Sequence, residues 1–412
     1  MNKKIAIIVL VILVFCVIIS AIFLISPKKQ SSKKEVVFWT LQMNEFTQYI
    51  TDVIVKFENE HPNIDIKWVD VPFSEGEKRT LAAVLSNNPP SLVNLNPDFS
   101  SVLAEKGALE EIPLDRLQDF NKQLLKSLET GGKMYAIPWY ATSAVTIYNK
   151  SVLSQAGFFR PPLRYDDYRL YAPTVKNKTG KYLFMPTITE NDTMLKILNK
   201  YGINSPSSLT SKESVEIFSF YRDLYQQNLI PKESVTQTLR EALEQYMSEN
   251  IVILQAGANF LNMIKENAPD VYKKTDVAPQ AIGKLGQYDF SMMNFVIPKH
   301  AKNKDEALEF ALFLTNEENQ LALAKLTNIL VTNEKALQSE FYNKYDERNL
   351  LDKARVLSAK QLYKIEPVMK KLKSQKDVNT VINTAVQMIL LDDENVSGIL
   401  DSASKKWSKL NE

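Results

Sequence analysis

The residues best suited to hold a small molecule cluster in Gly131–Lys150, GGKMYAIPWYATSAVTIYNK. Aromatic rings can face the apolar side of a ligand, and hydroxyls or carboxamides can take its polar groups. Trp139 and Tyr140 follow Pro138, a residue that gives no ladder N–H and restricts its neighbour, and Thr142 comes next. The pattern predicts a strand ending near Pro138, an irregular aromatic segment, and a second strand over Ala144–Tyr148, as in a chain passing between two lobes. Trp139 and Tyr140 are then expected to line a cleft. The alternative is that Trp139 buttresses the crossing and meets no solute. Trp68, inside an alternating run, is expected to be a core residue.

Two further groups of polar side chains follow strand-like runs. Val36-Val37-Phe38-Trp39 is β-branched and aromatic, suited to a strand buried on both faces, and Asn44 and Glu45 come soon after it. Ser91–Leu95 is a second such run, with Asn96 and Asp98 beyond it. In open α/β sheets ligands sit outside the carboxyl ends of the strands. Trp39, Asn44, Glu45, Asn96 and Asp98 are therefore cleft candidates. Asp98 is equally able to cap the helix through Ala104, and Glu45 to sit in a first helical turn.

The rest of the composition excludes several chemistries. With 412 residues the chain exceeds what one core usually serves. A net charge of +2 gives no reason to expect a nucleic-acid partner. Two histidines (His61, His300) and one cysteine (Cys16) cannot build a Cys/His zinc cluster or a disulfide. P-loop, dinucleotide-binding, nucleophile-elbow and zinc-protease motifs are absent, so no cofactor and no metal is expected. Residues 5–25 carry no charge. That length matches a bilayer's hydrocarbon thickness and exceeds a signal peptide's apolar region. Residues 1–34 are read as an uncleaved membrane anchor and tether.

The elements that would position the candidates follow from periodicity. Phe46, Tyr49, Ile50, Val53 and Phe57 recur at helical spacing, and Ile64, Ile66 and Trp68 alternate with polar residues. Strand, helix and strand make a βαβ unit with a parallel sheet. Thr210 with Glu213 reads as a capping box for a helix through Tyr225. Met292–Lys299 reads as a strand returning to the first lobe. Apolar stripes in 378–389 and 396–410 are core-facing helices.

In this order, Val36–Trp39, Gly131-Gly132, Tyr135-Ala136-Ile137-Pro138-Trp139, Tyr148-Asn149-Lys150 and Ile297-Pro298-Lys299 through Gln320 resemble the maltose-binding-protein-like family of bacterial extracellular solute-binding proteins. The resemblance runs from about Val36 to Leu410. It implies an α/β, two-lobed periplasmic-binding-protein fold with a cleft between lobes, here preceded by one transmembrane helix. Lobe 1 is expected to hold 35–142 plus 292–330, and lobe 2 to hold 143–291 plus 331–412. Three chain crossings are expected, near Ala141–Ala144, Asp289–Asn294 and Asn328–Thr332. The resemblance adds Glu190, Asn259 and Asn294 as ligand-facing positions. Two departures stand out: Pro161–Tyr168 lacks the family's tryptophan, and Asn259 stands where the family often has a stacking tryptophan. The implied function is capture of a small solute, a sugar or oligosaccharide, outside the cytoplasmic membrane for the permease subunits of an ABC importer. The alternatives are a ligand-sensing receptor and a cleft-based carbohydrate-active enzyme.

Overall fold

The computed structural model describes residues 33–327, 329–365, 375–391 and 395–411. The expected membrane span, residues 5–25, lies outside them, as does Asn328 of the third expected crossing. Among the described residues no helix is long and apolar enough to cross a membrane.

Eight strands carry the fold: β1 (Lys34–Leu41), β2 (Ile64–Val71), β3 (Leu92–Leu95), β4 (Ile137–Asn149), β5 (Ile253–Gly257), β6 (Thr275–Pro279), β7 (Phe290–Val296) and β8 (Leu330–Val331). The βαβ unit forms as its periodicity requires. Helix Thr47–Glu60 buries Tyr49, Ile50, Val53 and Phe57, and β1 pairs in parallel with β2 from Lys34↔Ile64 to Leu41↔Val71. β3 adds in parallel to the other edge of β1, and β7 pairs antiparallel with β3.

β4 unites the molecule. From Ile137 to Ser143 it pairs with β7, and at Tyr140 and Ala141 with β8. From Ala144 onward it pairs with β5 and β6 instead. The change of partners falls between Ser143 and Ala144. The expected break at Pro138 does not occur: one strand of 13 residues runs through it. The pairing register shifts between Pro138 and Tyr140, and this bulge accommodates the missing N–H.

The bulge decides the fate of Trp139. The ring is fully buried in the first lobe's core and stacks on Phe295, with ring centroids 4.5 Å apart. Its backbone carbonyl accepts from Gln320 Nε2 at 2.6 Å and from Thr332 Oγ1 at 3.1 Å. Trp139 therefore does not face a cleft here. Trp68 exchanges roles with it: half-buried, it donates its Nε1–H to Thr40 Oγ1 at 2.8 Å.

Each side of β4 has its own core. Phe38, Ile50, Phe295 and Phe310 belong to the first, whereas Val145 and Ile147 on one face of β4 and Tyr148 on the other serve two clusters of the second lobe. One stretch departs from the expected division. Ala336, Leu337, Tyr342 and Ile365 pack in the first core, although residues 331–412 were expected in the second lobe. β8 has only two residues, and the next two, Thr332 and Asn333, donate their backbone N–H groups to Gln320 Oε1. Helix Leu350–Leu362 then spans the division, with Ala354 in a second-lobe cluster and Ala359 and Leu362 in the first core.

Substitution of the two tryptophans separates these roles. Trp139→Ala should cost about 3–5 kcal/mol by leaving a core cavity, whereas Trp68→Ala should cost roughly 1–2 kcal/mol. Thermal melts of both variants check the order; an equal or reversed loss contradicts the packing described.

Candidate functional site

Two cavities flank the crossing strand and share Thr142, Ser143 and Gly257. The larger, about 410 Å³, lies mainly against the second lobe. Its aromatic wall comes from the segment where the resemblance lacked a tryptophan. Tyr165, in a short 3-10 turn, and Tyr168, opening helix Tyr168–Thr179, stack with centroids 5.6 Å apart and planes 20° apart. Phe184 meets Tyr168 edge-on at 4.8 Å. The amide of Gln255, on β5, ties the phenols together: Nε2 donates to Tyr168 Oη at 2.8 Å, and Oε1 accepts from Tyr165 Oη at 3.3 Å. Tyr168 itself is buried in the second lobe's core, so the part-exposed ring of Tyr165 is the aromatic surface this wall offers.

Glu190, Asp192 and Asp289 give the lining an acidic part. Glu190 accepts the backbone N–H of Leu239 at 2.8 Å, so its carboxylate sits at the amino end of helix Leu239–Met247, where negative charge is favoured. Its loop is pinned by Asn383, whose Nδ2 donates to the carbonyls of Thr189 (3.1 Å) and Asn191 (2.9 Å). Asp192 pairs with Lys196 at 3.1 Å. Asp289 also lines the cavity and pairs with Lys200 at 2.7 Å.

The second cavity, about 380 Å³, opens between the lobes. Met43, Glu45 and Phe46, just past β1, share it with Gly257 at the end of β5, Ala258 and Asn259 just past β5, and Tyr140 and Thr142 of β4. Burial pushes the Tyr140 phenol up to about 12.

Of the residues picked out from sequence, Glu45, Tyr140, Thr142, Glu190 and Asn259 line one or both cavities. The others do not. Trp39 is half-buried beneath the Arg79 guanidinium, 5.5 Å from its ring centroid. Asn44 is exposed in the turn after β1. Asn96, not Asp98, caps helix Pro97–Glu105, accepting from Phe99 N at 2.8 Å, and Asp98 is exposed in its first turn. The cap shifts likewise at Lys212–Gln226, where Ser211 replaces the expected Thr210. Asn294 is fully buried and accepts a 3.5 Å hydrogen bond from Ser100 Oγ at its Oδ1.

Sequence reasoning missed Tyr165, Tyr168, Phe184, Gln255 and Asp289. The departing segment Pro161–Tyr168 held a usable signal, two tyrosines three residues apart on one helical face. Gln255 and Asp289 gave none, because their role comes from folding far-separated strands onto β4.

Comparison with known proteins agrees with this architecture. Residues 52–349 match the family described as bacterial extracellular solute-binding protein. A crystal structure of a candidate oligosaccharide periplasmic-binding protein from Synechococcus sp. MITs9220 is 30% identical, with a TM-score of 0.81 over 91% of this chain and 98% of that one. The maltose-binding periplasmic protein MalE from Listeria monocytogenes, solved with maltose, is 19% identical and shares the fold, with a TM-score of 0.74 over 92% of this chain and 98% of that one. The arabinooligosaccharide-binding protein of Halalkalibacterium halodurans is 23% identical over 316 residues, 72% of this chain and 70% of the relative.

Burial also raises the phenols of Tyr165, Tyr168 and Tyr221 above the usual range, with the Asp289 charge adding at Tyr165. A raised folded-state value means that the unfolded chain loses these protons first. The stabilisation is thus present below an ordinary tyrosine's pKa and is lost as pH rises past it. Melting temperature should be flat to about pH 9 and fall above about pH 10. Tyr165→Phe and Tyr168→Phe should each soften the fall, read from melts against pH with phenolate absorbance.

Proposed function

This chain belongs to the bacterial extracellular solute-binding protein family, and on that premise we propose that it captures a neutral carbohydrate, a sugar or short oligosaccharide, at the crossing strand. The observation that carries this reading is the lining of the larger cavity, where Tyr165, stacked on Tyr168, and the Gln255 amide share one pocket with Glu190 and Asp289. Sugar rings present apolar faces to aromatics and hydroxyls to planar polar groups. Glu45, Tyr140, Thr142 and Asn259 extend the site into the second cavity, so the ligand has room for more than one ring. The sugar-named relative supports the ligand class.

Binding rather than hydrolysis is favoured by the state of the acids. Each carboxylate lining the larger cavity has a donor or cation on one oxygen, Glu190 from Leu239 N, Asp192 from Lys196 and Asp289 from Lys200. A glycosidase needs one carboxylic acid and one carboxylate across the scissile bond. In the proposed cycle a solute touching both lobes favours the closed state by its differential affinity, and the closed form delivers it to the permease subunits of an ABC importer. Residues 1–34 hold the protein at the outer face of the cytoplasmic membrane. Neighbouring permease genes would favour import over sensing.

The binding test is calorimetric titration with arabinotriose, galactobiose and maltotriose. Tyr165→Ala should weaken the best of them by about 1–3 kcal/mol, and saturation should lower the radius of gyration in solution scattering. Equal affinity in Tyr165→Ala contradicts the stacking role. An unchanged radius at saturation contradicts closure. For the anchor, amino-terminal sequencing of membrane-fraction protein should begin at Met1 or Asn2, and a start after Ser26 contradicts it.

A further inference from the structure

We propose that Asp289 is a solute-binding residue of this site and that the buried Lys200 is its positioning residue. The inference rests on the carbohydrate reading for the identity of the donor that Asp289 receives, a ring hydroxyl.

Lysine is almost never buried without a partner, and the Lys200 side chain is 3% exposed. Its ammonium has three protons and three partners: Asp289 Oδ2 at 2.7 Å, Gln280 Oε1 at 3.2 Å and the Ala281 carbonyl at 3.4 Å. The pair is lopsided. Lys200 is enclosed, whereas the Asp289 side chain is 37% exposed and lines the larger cavity. Among the described residues the other oxygen, Oδ1, has no hydrogen-bond partner. A buried ion pair is a weak source of stability, since desolvation offsets the attraction. Its effect here is to commit one oxygen and hold the other at the cavity wall.

The backbone of Asp289 is fixed as tightly as its carboxylate. Its N–H donates to Gln280 Oε1 at 3.0 Å, and its carbonyl accepts from Gln280 Nε2 at 3.0 Å and Ser143 Oγ at 3.1 Å. Lys200 Nζ also lies 5.4 Å from the ring centroid of Tyr165. Asp289 therefore stands close to Tyr165 in the same cavity, and a solute that touches the exposed part of Tyr165 has an oriented acceptor beside it. Asp289 selects solutes with a donor there and disfavours anions.

The experiment is titration of the full-length chain in detergent with arabinotriose, galactobiose, maltotriose and mannitol, and with spermidine and glutamate as charged probes. With a sugar that binds, Asp289→Ala should weaken affinity about 10–100-fold, the range for a hydrogen bond to a charged group. Lys200→Met should weaken it about 10-fold, and should add nothing in the Asp289→Ala background if it acts through Asp289. Unchanged affinity in Asp289→Ala, or a Lys200→Met loss that persists in that background, overturns the proposal while the carbohydrate reading stands. If Lys200→Met fails to fold, Lys200→Arg replaces it and must alter affinity at an unchanged melting temperature; unaltered affinity overturns the positioning role. Binding of spermidine alone, lost in Asp289→Ala, supports the acceptor and overturns the carbohydrate reading. Binding of glutamate alone, or of none of these solutes, overturns both.

Discussion

The structure depends on how one strand satisfies its backbone where it leaves one set of partners for another. Between Ser143 and Ala144 the ladder of β4 changes hands, and side chains supply what the ladder cannot. Gln361 Nε2 donates to the Ala144 carbonyl at 2.8 Å and to Ser143 Oγ at 2.9 Å, and Gln280 Nε2 reaches the same two atoms at 3.3 and 3.2 Å. Ser358 Oγ donates to the Ser143 carbonyl at 3.3 Å, and Gln361 Oε1 accepts the N–H of Gln280 at 2.9 Å. A buried amide left unpaired costs about 1–3 kcal/mol, so these bonds are a condition of carrying a chain through the interior at this point.

The same device repeats where the bulge disturbs β4. Thr332 Oγ1 donates to the Pro138 carbonyl at 2.8 Å, and Gln320 serves the Trp139 carbonyl while its oxygen takes two backbone N–H groups. A buried carboxamide presents donors and an acceptor at once, which is why Gln280, Gln320 and Gln361 carry most of these bonds. Ser143, Gln280 and Asp289 also line the larger cavity. Part of the network that completes the crossing thus lines the candidate site.

The aromatic residues divide by what they can do with a polar edge. Trp139 is packed so completely that its indole N–H has no partner among the described residues. Tyr165 and Tyr168 sit where both phenols reach the Gln255 amide. Tyr168 is buried behind Tyr165, and Tyr165, part-exposed, can give its hydroxyl to this network and still present ring surface to a ligand. A tryptophan stacked on Phe295 has neither face nor edge to offer a solute.

Local pattern alone determined a good deal of this protein. The period of its apolar residues set β1, helix Thr47–Glu60 and β2, and the run from Gly131 to Lys150 contains the strand whose partners change. The ordered motifs from Val36 to Gln320 pointed to the family. These properties depend on neighbours within one turn or one pleat. The rest depends on residues far apart in the chain. The bulge at Pro138 broke the alternation from which the direction of Trp139 would be read, so a presumed ligand platform became core. The caps moved by one or two residues, from Asp98 to Asn96 and from Thr210 to Ser211, because several hydroxyl, amide and carboxylate side chains there compete for the same N–H groups. Tyr165, Gln255 and Asp289 meet in one cavity only because β5 and the segment before β7 are laid against β4. Pairing register and the packing of distant segments decided the candidate site, and neither is encoded in the spacing of nearby residues.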